Sequence, residues 1–240
     1  MIPDINLRVT PRRNMVICSL AIGEHYRVMQ DIMSKPVNYY AGKYGMDTLL
    51  LKSDTRLAPA RPEAWDKVVL LKHLLKFYDT VLWVDSDTLI VNPDADIRRE
   101  FKPGCVMQLA THLYAPHFYP NTGVWVVHRD PRALDILEDI WKQEDLVRDV
   151  WWEQAALMRV LGYPDPHNLN SYAGPTALGS FICPLSIQWN AQLALDPLPV
   201  HPYILHYAGT PSPEHRVRRI RTMQMDYETF LRRVNQPQLV

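Results

Sequence analysis

The run Thr80-Val81-Leu82-Trp83-Val84-Asp85-Ser86-Asp87-Thr88-Leu89-Ile90-Val91-Asn92-Pro93 constrains the fold more than any other stretch of the 240-residue chain. An uncharged, mainly apolar run leads straight into two carboxylates, and a second apolar run follows until Asn-Pro stops it. A strand covered on both faces reads as a continuous apolar run, so this pattern predicts a buried strand opening into a loaded turn. Carboxylates are costly to desolvate unless they are paired or metal-bound. At positions i and i+2, Asp85 and Asp87 can both reach one divalent cation, or the phosphates and sugar that it carries. A solvated acidic turn has the same three letters, so the rest of the chain has to decide.

Strands and helices alternate before residue 90. Residues 15–20 predict a strand ending at Ala21-Ile22-Gly23, and in open α/β sheets ligands bind at that end. Residues 24–44 predict a helix broken near Pro36 and stopped by Gly45. A second strand is expected over 47–51, and residues 65–78 carry apolar side chains at helical spacing. This order predicts an α/β fold, a mostly parallel sheet sandwiched by helices in a single domain over 1–240. Beyond Pro93, a short helix is expected over 94–101, strands over 105–110 and 124–128, and helices over 131–141 and 150–161. Asp130 and Asp149 stand as their caps. Strand-like pieces follow at 181–183 and 186–189, with a last strand at 203–207. The loop 112–120 gathers His112, Tyr114, His117, Phe118 and Tyr119, either to stack on a sugar ring or to pack on itself. Residues 1–13 read as an N-terminal extension and 211–240 as a basic, helical tail.

Composition narrows the partners. Lysines and arginines number 26 against 26 acidic residues, which leaves no basic field for nucleic acid. Cys18, Cys105 and Cys183 lie far apart with no C-x-x-C spacing, which predicts reduced, buried thiols in a cytosolic protein. Neither an apolar leader nor an apolar run of about 18 residues occurs, so the expectation is a cytoplasmic protein with at most peripheral membrane contact. The arginine-rich stretch 215–221 is either a solvated helix face or the part that meets anionic headgroups.

Six short motifs occur in one order: Tyr40-Ala41-Gly42-Lys43-Tyr44-Gly45-Met46-Asp47, Trp65-Asp66-Lys67, Trp83-Val84-Asp85-Ser86-Asp87, Asn121-Thr122-Gly123, Trp152-Glu153-Gln154-Ala155-Ala156-Leu157 and His206-Tyr207-Ala208-Gly209. Together they resemble the metal-dependent glycosyltransferases of the GT-A fold, nearest to glycosyltransferase family 34 and more distantly to family 8. The resemblance implies a Rossmann-like sheet and a nucleotide-sugar donor, a UDP-sugar such as UDP-glucose or UDP-galactose, with a glycan or glycolipid acceptor. It implies Asp85, Asp87 and His206 as ligands of Mn²⁺, with Mg²⁺ the second choice, a donor set of carboxylates and imidazole that suits either ion. It assigns donor contacts to Ser19, Leu20, Gly23, Lys67, Asp85, Ser86, Asn121, Gly123, His206 and Gly209. Gln154, Glu153 and Asp87 become the catalytic candidates, Gln154 or Glu153 to stabilise positive charge at an anomeric carbon whose configuration is retained.

Two departures stand out. Glu153 replaces the family's usual aspartate, and no lysine follows His206, where related enzymes grip phosphate. His215, Arg216, Arg218 or Arg219 could serve instead, since a guanidinium binds phosphate bidentately. Lys67 reads equally as a donor contact or a surface lysine. Two other readings fit parts of the pattern. Residues 84–88 also satisfy the h-D-x-D-x-T pattern of haloacid-dehalogenase phosphatases, which are Mg²⁺-dependent. Those enzymes need a later lysine and acidic pair, and here only Lys102 and Lys142 follow. The third reading is a non-catalytic nucleotide-sugar-binding module.

Overall fold

The computed structural model describes residues 1–54, 56–193, 197–209 and 212–235. In chain order its elements are β1 (Met15–Ile22), α1 (Glu24–Tyr44), β2 (Asp47–Ser53), α2 (Asp66–Leu74), β3 (Thr80–Val84), β4 (Thr88–Ile90), β5 (Met107–Thr111), β6 (Pro120–His128), α3 (Pro131–Trp141), α4 (Glu153–Leu161), β7 (Ile182–Leu185), β8 (Ala191–Gln192), β9 (Ile204–His206) and α5 (Pro213–Asn235). The main sheet runs β2-β1-β3-β6-β5-β7, and a small one runs β4-β9-β8. Pairs β1–β2, β1–β3 and β5–β7 are parallel, while β6 lies antiparallel to both β3 and β5.

Alternation along each central strand builds two cores. Val16, Cys18, Val81, Trp83, Trp125 and Val127 face one apolar layer with α2, α3 and α4. Their neighbours Met15, Ile17, Leu82, Val84, Val124 and Val126 face a second layer with α1, α5 and the small sheet. Successive strand residues point to opposite faces, so a run apolar at every position needs helices on both sides. The expected mostly parallel sheet between helices is therefore present. The chain leaves β1 for β2 and returns past β1 to β3, and in open α/β sheets the ligand crevice lies at such a switch point, here the carboxyl ends of β1 and β3.

Several boundaries differ from the sequence expectations. Helix α1 continues unbroken through Pro36. An interior proline costs about 3 kcal/mol, but Met29, Met33, Val37 and Tyr40 on either side of it are all buried, each contributing roughly 1.5–3 kcal/mol. Packing outweighs the missing N–H. Gly45 ends the helix as expected, in a left-handed conformation with φ 67°, and Met46 N–H donates back to Ala41 O at 2.8 Å. Residues 97–100 form only a 3-10 turn capped by the Asp96 side chain. The piece 186–189, expected as strand, is another 3-10 turn: Ser186 caps Ile187–Trp189 and Trp189 is buried. Helix α4 starts at Glu153, because Trp152 adopts φ 49° and Asp149 caps the preceding turn through Trp151 N–H at 2.8 Å.

The cysteine expectation is corrected. Cys105 and Cys183 form a disulfide with Cα atoms 5.8 Å apart, and only Cys18 is a free, buried thiol. The parallel pairing of β5 with β7 brings together residues 78 apart in sequence, a proximity that spacing alone does not encode. With the disulfide goes the reduced-thiol argument for a cytosolic setting. Among the described residues no helix is long and apolar enough to cross a membrane.

The first residues and the last helix are tied to the sheet's two layers. Ile2 is buried, its N–H donates to the Glu138 carboxylate at 3.0 Å, and Lys72 Nζ donates to its carbonyl at 2.7 Å. Of the tail expected over 211–240, Pro211 and 236–240 lie outside the described residues, and 213–235 forms α5. That helix buries Met223, Tyr227 and Phe230 in the second core, and its Asp226 accepts from Tyr207 Oη at 2.6 Å.

Candidate active site

Asp85 and Asp87 sit just past β3, where strand pairing meets them with an imidazole from the far end of the chain. Strand β4 runs antiparallel to β9 with Thr88 opposite His206, and Tyr207 N–H donates to Asp87 O at 2.9 Å. His206 Nε2 consequently lies 3.4 Å from Asp87 Oδ1 and 4.0 Å from Asp85 Oδ2. One ligand atom from each of the three falls within 4.8 Å of the others. Two carboxylates and an imidazole so converged fit a divalent cation of the Mn²⁺ or Mg²⁺ class. Gly123 permits this approach: a Cβ there would lie 2.2 Å from His206 Cε1 and 2.8 Å from Asn121 Oδ1, so the Asn-Thr-Gly glycine is needed for space.

Asp87 is almost wholly buried. Burial pushes its carboxyl upward, yet His206 and the guanidinium of Arg219, 3.7 Å away, together hold it below the usual carboxylate range. Arg219 comes from α5, donates to Gly209 O at 2.9 Å and touches His25 Nε2 at 3.0 Å. Of the four basic residues that could replace the missing lysine, Arg219 is the one paired with the carboxylate cluster.

Lys67 is no surface residue: it is 4% exposed. Its Nζ lies 3.0 Å from Asp85 Oδ1, donates to Glu153 Oε1 at 2.9 Å, and reaches Thr122 O at 3.0 Å. Burial disfavours the ammonium, but the two carboxylates outweigh it and raise its pKa. Glu153 is buried too, and desolvation lifts its carboxyl above the ordinary range against the pull of Lys67. Thr122 Oγ1 donates to Glu153 Oε1 at 3.0 Å, while Oε2 is buried with no hydrogen-bond partner among the described residues. Trp83 Nε1 donates to Asp85 Oδ1 at 2.6 Å. Asp85 thus has one oxygen held by Lys67 and Trp83, with the other turned towards His206.

Gln154 is committed in a definite sense. Its Oε1 accepts from Asn121 Nδ2 at 2.9 Å and from Thr122 N–H at 3.2 Å. Both oxygen lone pairs are occupied, while Nε2 has no partner among the described residues and is not sealed from solvent. The group this side chain leaves open is therefore a donor, its amino group. In Glu153 the group left open is Oε2.

The remaining candidates divide. Ser19 is fully buried and its Oγ has no hydrogen-bond partner among the described residues, which leaves only its backbone to meet a donor. Leu20 is half-buried, Gly23 is exposed at the head of α1 with φ 85°, and Ser86 is buried between the two aspartates. Within the aromatic loop His112 stacks on Tyr114 and lies against Tyr119, while His117 lies on Tyr172 and Tyr119 on Trp151 and Tyr163. Asn190, which no motif singled out, lies at the centre of the site. Its side chain bonds both His206 and Asn121.

No family model matches the chain, and no curated protein does. Solved structures do match. A glycosyltransferase involved in glycosylation of the major capsid of PBCV-1 superposes with a TM-score of 0.61 at 19% identity, covering 89% of this chain and 100% of that one. The fold is that of the GT-A glycosyltransferases. The galactosyltransferase LgtC, solved with donor and acceptor sugar analogs, gives 0.58 at 15% identity over 93% of this chain and 98% of its own. The glycosyltransferase GlyE of Streptococcus pneumoniae TIGR4 gives 0.51 at 15% identity, covering 92% of this chain and 63% of that one. In the GT-A frame, Asp85, Asp87 and His206 lie at the carboxyl edge of the sheet beside the crevice of β1 and β3.

Proposed function

We propose that the chain is a metal-dependent glycosyltransferase that moves a hexose or pentose from a nucleotide sugar to a hydroxyl of a glycan or glycolipid acceptor. The observation that carries this reading is the convergence of Asp85, Asp87 and His206 beside the sheet crevice. A divalent cation held there would neutralise a leaving diphosphate as a Lewis acid. Arg219 adds a fixed positive charge beside Asp87 and is the residue we assign to the phosphates in place of the family's lysine. Lys67 holds Asp85 and Glu153 in place, and Gln154 offers its amino group to a sugar oxygen.

Retention at the anomeric carbon, a UDP donor and the narrower place in family 34 rest on the six motifs. The galactosyltransferase among the structural neighbours makes UDP-galactose the first donor to try. The test is a panel of UDP- and GDP-sugars with Mn²⁺, read as nucleotide release. We expect slow hydrolysis of one donor, abolished by chelator, restored by Mn²⁺ and absent in Asp87→Ala. Full activity in excess chelator overturns the metal role. A nucleotide-induced rise in melting temperature without any diphosphate release identifies a binding module instead.

A further inference from the structure

Four side chains from separate parts of the fold join the carboxylate cluster to the head of α4. His206 Nδ1 is 2.9 Å from Asn190 Oδ1, Asn190 Nδ2 donates to Asn121 Oδ1 at 2.9 Å, and Asn121 Nδ2 donates to Gln154 Oε1 at 2.9 Å. The two ends of a carboxamide have nearly the same shape, so its orientation is set by its partners. Here two backbone N–H groups, which can only donate, set it. Gly123 N–H donates to Asn121 Oδ1 at 2.8 Å and Thr122 N–H donates to Gln154 Oε1 at 3.2 Å. Turning Asn121 over would set its amino group against Gly123 N–H. With Asn121 fixed, Asn190 must direct its amino group at Asn121 and its oxygen at His206.

We infer that Asn190 is a positioning residue for the cation site. Its oxygen accepts a hydrogen bond from Nδ1–H of His206, which leaves Nε2 as the nitrogen that a cation held by Asp85 and Asp87 would meet. Asn190 itself is fully buried, just ahead of β8, whose parallel pairing with β9 sets Gln192 beside His206. A ring free to rotate would offer either nitrogen. The relay removes that choice, and through Asn121 the same residue supports the orientation of Gln154.

The inference deepens the proposed function but is tested with metal alone, so a chain that transfers no sugar can still confirm or sink it. In the unsubstituted protein, ¹⁵N spectra of His206 with ¹¹³Cd²⁺ bound should show metal coupling at Nε2 and a proton on Nδ1. Coupling at Nδ1, or none at either nitrogen, overturns the inference. Isothermal titration with Mn²⁺ gives the second reading. Asn190→Ala, checked for folding by its melting curve, should bind about tenfold to a hundredfold more weakly. Asn190→Asp keeps an oxygen opposite Nδ1 but sets its other oxygen against Asn121 Oδ1, so it should bind more tightly than Asn190→Ala and more weakly than the parent. An Asn190→Ala protein that folds and binds Mn²⁺ like the parent refutes the positioning role, as does equal weakening in Ala and Asp. If Asn190→Ala does not fold, the nitrogen spectrum decides.

Discussion

A carboxamide is useful to a sugar-binding site through whichever end its surroundings leave free, and at Gln154 that end is the amino group. Gln154→Glu separates the two roles. A glutamate can still accept from Asn121 and Thr122, but it puts an oxygen where Nε2 stood. Turnover should fall about a hundredfold or more, the usual cost of one lost donor at a reacting centre, with Mn²⁺ affinity unchanged in the same titration. A Gln154→Glu protein as fast as the parent would show that the amino group plays no part in turnover. At this scale the sequence was partly legible. Asp85 and Asp87 could be named because two carboxylates at i and i+2 after a buried strand need a partner or a cation, and His206 because the resemblance carried by six motifs in order implied it. Asn190 could not, because a lone asparagine has no spacing to mark it and its partners lie 16 and 69 residues away. The full burial of Lys67 was also hidden, since the two carboxylates that make it tolerable arrive from other elements.

Helix α3 is the element whose sequence and structure agree best. Asp130 caps it through Arg132 N–H at 2.8 Å, Pro131 occupies the first turn, and both ends match the expected 131–141. The bond from the Arg132 side chain, with help from that N–H, holds the Asp130 carboxyl at about 2, below its ordinary value of 3.8. A group depressed on folding stabilises the native state at pH above its unfolded value and loses that effect as pH falls through the folded one. Asp130→Ala should therefore destabilise the protein by about 1 kcal/mol at neutral pH. The gap to the parent should narrow as pH falls from about 4 towards 2, measured by urea melts across that range. A gap that stays constant would mean that the charge plays no part. Elements with their own caps or apolar runs could be read in advance. Those decided by distant packing could not, as the unbroken passage of α1 through Pro36 and the turn at 187–189 demonstrate.

Across the whole molecule, the site depends on contributions from both halves of the chain: the turn between β3 and β4 supplies the carboxylates, β9 the imidazole and α5 the guanidinium. The disulfide lies elsewhere, where residues just before β5 meet β7 at the sheet's far edge. Closing a loop of 78 residues stabilises by restricting the unfolded chain, so Cys105→Ser should cost about 2–5 kcal/mol. Metal affinity should stay at the parent value, because no ligand lies on β5 or β7. A melting temperature insensitive to this change and to added reductant would argue that the bond does not form in solution. The sequence concealed this bond because cysteine spacing carries no information about which strands pair.

The same bond has a practical corollary. With Cys105 and Cys183 tied to each other and Cys18 sealed in the core, the native chain presents a maleimide with no reachable thiol. One cysteine introduced at a well exposed site such as Val200, which is 77% exposed, would carry a single fluorophore without first stripping the protein of its own thiols.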